Sequence, residues 1–458
     1  MVINNSILYY LLVCLYCLGG IAGSLLYFNS LIPFLILTCG FVGIIILILK
    51  PKLMLFCLIL INERFFYLVD YDGKTTIDLM LCIILLMYIK FGKEILHYKF
   101  KFKFEILCIT FLVVSSMLIT YVLHRQPIGL AYHGSKFMFL YILYFPLIIF
   151  INKFGVKYIL NTVHFIGTTL AGAFILQKML YPKVIIFNMM YMERFDSVRF
   201  FTGMSLIIFA SFISLGCFLT VERKKIKYLY LISFFIQVSH LFFVAQTRNL
   251  TIALIFVYTI VIILYSKGNV FKKIFSALIL ISVGFIIFGS FINNIIQSIV
   301  GELDLYNTGN GTLYVRMLEL DFVWSSIKEN TLFGVGFYSG HFSKAPEILG
   351  TAYNYYTSDI GIFGFVFYLG MVGLIITLKY SVKLFKQTFI ALKVNISIGV
   401  ILLLFTLYIS IISPFNYIYN LEIQIIYLII FTCILEVAVD KRNLKGISSL
   451  INTNNNLS

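Results

Sequence analysis

Apolar runs of bilayer length recur along the chain, and that recurrence decides what it can fold into. Phe41–Leu49 has no polar residue, and Val400–Ile412 is broken only by Thr406 and Ser410. Backbone groups inside lipid must be satisfied within a helix or a closed barrel, and runs this continuous lack the alternation of barrel strands. With 61% hydrophobic and 12% charged residues and a mean hydropathy of +1.00, a soluble domain would have too little polar surface. The expected fold is an all-α polytopic membrane protein of about 14 transmembrane helices, each near the length that crosses the hydrocarbon core. They fall near residues 7–27, 31–49, 53–69, 77–89, 104–123, 137–151, 158–177, 200–220, 228–245, 250–266, 274–292, 357–378, 395–413 and 420–438. Residues 7–27 read as the first span rather than a cleaved leader, because no basic stretch precedes them.

Lysine sets the expected sidedness. With both termini cytoplasmic, the inner segments are 50–52, 90–103, 152–157, 221–227, 267–273, 379–394 and the tail 439–458, which together hold 23 of the 35 Lys+Arg, 21 of them lysine. The net charge of +16 is then mostly the positive-inside rule and implies no nucleic-acid partner. Outside, the count is different: Arg64, Arg125, Arg194, Arg199, Arg248 and Arg316 all fall in outward segments. Arginine carried against the charge rule calls for another reason. An anionic ligand supplies one, and phosphate is the anion its planar fork grips best.

The outward segments of interest are 124–136, 178–199 and 293–356. In the last, Leu313, Met317, Leu320, Trp324 and Ile327 recur at helical spacing, which predicts an amphipathic helix over 313–328 with Arg316 and Glu319 along one margin. Met192–Gly203 concentrates Glu193, Arg194, Asp196 and Arg199 just before the eighth span, and Gln246-Thr247-Arg248-Asn249 pins an arginine between two spans. Snorkelling to headgroups is the plainer reading of each arginine; a pyrophosphate or sugar site at the membrane surface is the functional one. Asp78, Glu105, Glu422 and Glu436 lie near span ends and Asp359 opens the twelfth span, so ionisable groups in mid-span are scarce, which argues against proton-coupled transport. His164 and His240 lie in spans, where packing is the usual role of a lone histidine. The eight cysteines all fall in apolar spans; no disulfide framework is implied, and the Cys14/Cys17 pair has no acidic or histidine neighbour to make a metal site. No Walker A, HExxH, GxSxG or GxGxxG motif occurs. Any reaction must then draw on an activated substrate or an ion gradient, and neither a metal nor another cofactor is expected.

In order, Arg316-x7-Trp324, Lys328-Glu-Asn-Thr-Leu-Phe-Gly-Val-Gly336 and Ser358-Asp-Ile-Gly-Ile-Phe-Gly364 resemble the bacterial O-antigen polymerase and ligase superfamily. Arg248 at the start of a mid-chain span and Arg199-x3-Gly203 are similar to two further arginine positions of that family. The ligase branch carries a His-Asn pair near the end of the large outer loop. Here Asn354 is preceded by Tyr353 and the nearest histidine is His341, which favours the polymerase branch.

The resemblance implies a GT-C-like, inverting glycosyltransferase of the bacterial plasma membrane. Its donor and acceptor would be undecaprenyl-pyrophosphate-linked glycans, joined at the outer face into O-antigen or capsule, with a chain-length regulator as a further partner beside the lipid bilayer. Arg199, Arg248 and Arg316 would stabilise charge on the departing pyrophosphate, with Arg194 beside them. Asp359, Glu319 and Asp196 are the candidate bases for the acceptor hydroxyl. For Asp359 a helix cap is the other reading. Trp324, Tyr353, Asn354 and Tyr355 would hold sugar rings, or else form an interfacial aromatic belt. A ligase and a lipid-linked oligosaccharide flippase are the alternatives.

Overall fold

The computed structural model describes residues 43–64, 73–187, 191–194, 197–200, 203–265, 301, 306–309, 311–414, 416–420 and 422–440. The expected spans 7–27 and 274–292, and most of 31–49, lie outside them. In chain order the helices are α1 (Lys52–Asn62), α2 (Gly73–His97), α3 (Lys103–His124), α4 (Ile128–Ser135), α5 (Tyr144–Phe154), α6 (Val156–Leu180), α7 (Met204–Thr220), α8 (Lys224–Ser239), α9 (Arg248–Tyr265), α10 (Gly311–Glu329), α11 (Ala345–Ile348), α12 (Ile362–Val394), α13 (Ile396–Ile412) and α14 (Glu422–Val439). Five helical stretches are long and apolar enough to cross a membrane: 103–124, 128–154, 156–180, 224–245 and 362–394. The count of about 14 spans is not reached among the described residues.

Several expected boundaries shift, each for a physical reason. Helix α12 continues through the segment 379–394 that hydropathy assigns to an inner loop, because lysine is a good helix former and its apolar stem packs while its ammonium reaches out. The expected loop 124–136 is largely helical, since Pro127 presets the backbone for α4 and Lys136 is buried against Asp78 at 2.6 Å. Within the expected span 53–69, α1 ends at Asn62, Arg64 is again helical, and 65–69 lie outside the described residues. At the end of α1 Glu63, fully buried, accepts hydrogen bonds from Asn62 Nδ2 at 3.0 Å and from the Tyr427 hydroxyl at 2.6 Å. The fold is all-α in the main; beside the helices, β1 (Tyr191–Arg194) and β2 (Ser197–Phe200) form one short antiparallel hairpin, pairing Tyr191 with Phe200 and Arg194 with Ser197. The eighth helix expected from 200 therefore begins only at Met204, after Gly203 at φ 71°.

Chain direction sorts the two ends of the bundle. Lys383 of α12 reaches Glu105, near the start of α3, at 2.9 Å, while the far end of α3 meets residues 336–339, so the two helices are antiparallel. Helix α13 returns along α12, and α7 runs opposite to α13, with Phe209 against Phe405 and Gly216 against Ile401. One end accordingly gathers lysines: Lys52 over Phe154 and Tyr158, Lys153 over Phe91, Lys383 on the Lys101 carbonyl, and the 221–227 turn. The opposite end gathers the hairpin, the turn before α9 and residues 330–360.

That second end is anchored by an interruption in α12. Gly370, at φ 64° and ψ −171°, unwinds the helix and frees backbone groups on either side of it. Residues 331–336 pair with them: Val335 N–H donates to Phe367 O at 2.8 Å, Gly336 N–H to Tyr368 O at 3.1 Å, and Met371 N–H to Thr331 O at 2.9 Å. A Cβ on Gly370 would lie 2.2 Å from Leu332 O, and one on Gly334 2.5 Å from Phe367 O. Gly370→Ala is therefore expected to cost roughly 2–4 kcal/mol, from the left-handed conformation plus the backbone clash. Thermal unfolding in detergent would show it as a lowered midpoint, and an unchanged midpoint would remove this account of the interruption.

Candidate functional site

Two groups of predicted residues sit at the end opposite the lysines. The first is built on the hairpin. On β2 Arg199 and Phe200 are both buried, at 8% and 3% exposed, and Arg199 Nη1 donates to the Gln246 carbonyl at 2.8 Å. Gln246 adopts φ 50° and closes a π-helical turn over His240–Ala245, its N–H bonded to Leu241 O at 3.2 Å. Two residues later α9 begins at Arg248. The turn itself is tied down by Thr247 Oγ1 on Met204 Sδ at 3.2 Å. Lys178, at the end of α6, donates to the carbonyl of Val198, next to Arg199. Three cation-bearing elements thus converge on one turn: the end of α6, β2 and the start of α9. The side chains of Arg194 and Arg248, and all of Asp196, lie outside the described residues.

The second group rides on α10, which packs against α12 and the turn 357–360. Its buried face coincides with the expected stripe only in part. Glu319, Val323 and Ile327 are 3%, 1% and 6% exposed, whereas Leu313, Met317 and Trp324 are 37%, 42% and 47% exposed. Ile327 belongs to both the expected stripe and the buried face and Leu320 is half-buried, while Leu313, Met317 and Trp324 leave the rest of the apolar pattern exposed. Glu319 thus moves from the margin to the centre of the contact. Its Oε1 accepts the Tyr356 N–H at 3.1 Å, and its Oε2 is buried without a hydrogen-bond partner.

Burial pushes the Glu319 carboxyl up; the Tyr356 amide pulls it back, the charge of Asp359 raises it again and Arg316 lowers it. Arg316 and Asp359, whose charges act on Glu319, are both exposed. Around them Phe322, Tyr353 and Tyr355 form a triangle of rings, with centroids 5.7 Å apart for Phe322–Tyr355, 5.8 Å for Tyr353–Tyr355 and 6.3 Å for Phe322–Tyr353. Asn354, exposed at φ 61°, makes the bend between the two tyrosines. Trp324 stands on another flank, 6.2 Å from the Phe363 ring and under Lys328.

Sequence reasoning missed the residues that hold this end together. Gln126 is fully buried, donates to Phe337 O at 3.0 Å and accepts the Ser339 N–H at 3.1 Å; Ser116 Oγ accepts the Phe337 N–H at 3.0 Å. A lone amide beside a proline at a span end was the available signal for Gln126. No group of three metal-ligating side chains occurs among the described residues. No protein-family model matches the chain, and no curated protein matches it.

Proposed function

We propose that the chain is a polysaccharide repeat-unit polymerase of the bacterial plasma membrane, with about 14 spans, both termini on the lysine side, and its site on the outer face. The observation that carries the reading is the gathering of arginine-bearing elements at the bundle end opposite the lysine-rich turns. Arg199 and the turn opening α9 supply one part, and Arg316 with Glu319 and Asp359 the other.

The donor is a glycan on undecaprenyl pyrophosphate. The acceptor hydroxyl oxygen attacks its anomeric carbon, the bond from that carbon to the pyrophosphate oxygen breaks, and undecaprenyl pyrophosphate leaves with the electron pair. Because the leaving group is already activated, the main demand on the protein is fixed positive charge where negative charge develops, at a boundary of low dielectric. Arg199, Arg248 and Arg316 fill that role, with Arg194 in support. The hydroxyl proton passes to a carboxylate, and Asp359, the exposed one, suits this better than buried Glu319.

A gel of surface glycan from a strain deleted for this gene tests the reading. Single repeat units on the normal acceptor, with no ladder, are expected. Complete loss of surface repeats with accumulation of lipid-linked units would instead assign a ligase or a flippase and reject the polymerase.

A further inference from the structure

Glu319 carries an oxygen that the fold leaves unanswered. Its Oε1 is used by the Tyr356 amide, but Oε2 has no partner, although the residue is 97% buried by exposure (3% accessible). An unsatisfied carboxylate oxygen away from water is costly, and such atoms in native proteins call for a ligand or a functional reason. Beside it lie the Phe322, Tyr353 and Tyr355 rings, and Tyr353 is 59% exposed, an aromatic surface open to a ligand.

The geometry points to a sugar subsite in which Glu319 Oε2 accepts a hydroxyl hydrogen bond and the Tyr353–Tyr355 rings pack against the pyranose. This rests on the polymerase reading and deepens it by assigning the subsite to the acceptor glycan. A hydroxyl is the donor that suits a partly desolvated carboxylate, and flat aromatic faces suit the C–H side of a sugar ring. Charge separates this subsite from the pyrophosphate. The charges of both Asp359 and Arg316 act on Glu319, and two carboxylates at this place disfavour an anion more than a neutral polyol. Arg316, exposed one turn before Glu319, stands at the border between acceptor and donor.

The test uses the full-length protein in lipid nanodiscs. One probe is the host strain's repeat-unit oligosaccharide, freed of lipid and phosphate, and the other is inorganic pyrophosphate. Fluorescence of Trp324, the chain's one tryptophan, gives the readout alongside calorimetry. Wild type is expected to bind the oligosaccharide. Glu319→Gln keeps the Tyr356 contact but puts an amide donor where the acceptor oxygen was, and should weaken that binding about tenfold or more. Tyr353→Ala, at a ring that is 59% exposed, should weaken it similarly. Pyrophosphate binding should be unchanged in both. Wild-type affinity should also fall as pH drops through a carboxyl pKa above that of an ordinary glutamate, and this fall should vanish in Glu319→Gln. Equal oligosaccharide affinity in wild type and both variants, or no binding by wild type, overturns the subsite. The deletion gel judges the polymerase reading separately: an intact glycan ladder there overturns that reading, whereas a lost ladder with unaltered variant affinities overturns the subsite alone.

Discussion

Arg316→Ala is expected to reduce surface glycan from a ladder to single repeat units while the protein accumulates at its normal level. The side chain is exposed on α10, and its replacement removes no buried packing, so stability should move by no more than about 0.5 kcal/mol. What is lost is a planar cation at the border of the proposed donor and acceptor subsites. Removing one preorganised donor from developing negative charge costs on the order of 100- to 1,000-fold in rate. Arg316→Lys separates charge from geometry: a point ammonium cannot reproduce the bidentate fork, so this variant should also give short chains. A wild-type ladder in both variants, with protein present by immunoblot, would remove Arg316 from the mechanism.

The parts of the architecture set by hydropathy were legible. Lys103–His124, Val156–Leu180 and Ile396–Ile412 fall within a few residues of the spans read from the sequence, because long apolar runs leave the backbone no alternative to a helix. Where polar side chains satisfy each other in the interior, their partners could not be read from the sequence. Asn62 and Glu63 end α1 against Tyr427, and nothing local to residues 53–69 announces a partner from α14. Apolar periodicity located helix α10 but not its packed face: Leu313, Met317 and Trp324 are exposed, Ile327 is buried, and the buried face also contains a glutamate. Gly334 and Gly336 adopt positive φ, Gly334 against Gly370, which by hydropathy is an ordinary residue of the span 357–378. Only the hydrogen bonds between residues 331–336 and 367–372 show that the two segments were shaped for each other. At the candidate site the positions of the arginines could be picked out by counting charge between spans, and their supports could not. The carbonyl that holds Arg199 belongs to Gln246, 47 residues away.

That support makes Arg199 different from Arg316, and the difference can be measured. Arg199→Ala should lose polymer too, but it should also lower stability, because a buried charged donor is withdrawn from the Gln246 carbonyl. Hydrogen bonds from charged groups contribute about 1.5–3 kcal/mol, so a fall of several degrees in the unfolding midpoint is expected in detergent. The turn it holds leads directly into Arg248, so displacement of that turn would move a second arginine of the proposed pyrophosphate site. Arg199→Lys gives the discriminating case. Lys178 already donates to the neighbouring Val198 carbonyl, and a second flexible ammonium at position 199 can reach Gln246 O but not hold a phosphate in a fork at the same time. Stability should therefore recover more than polymer length does. If Arg199→Ala unfolds at the wild-type midpoint, the Gln246 contact is not what fixes the turn. If Arg199→Lys restores full ladder length as well as stability, Arg199 serves the fold alone and the pyrophosphate is held by the remaining arginines.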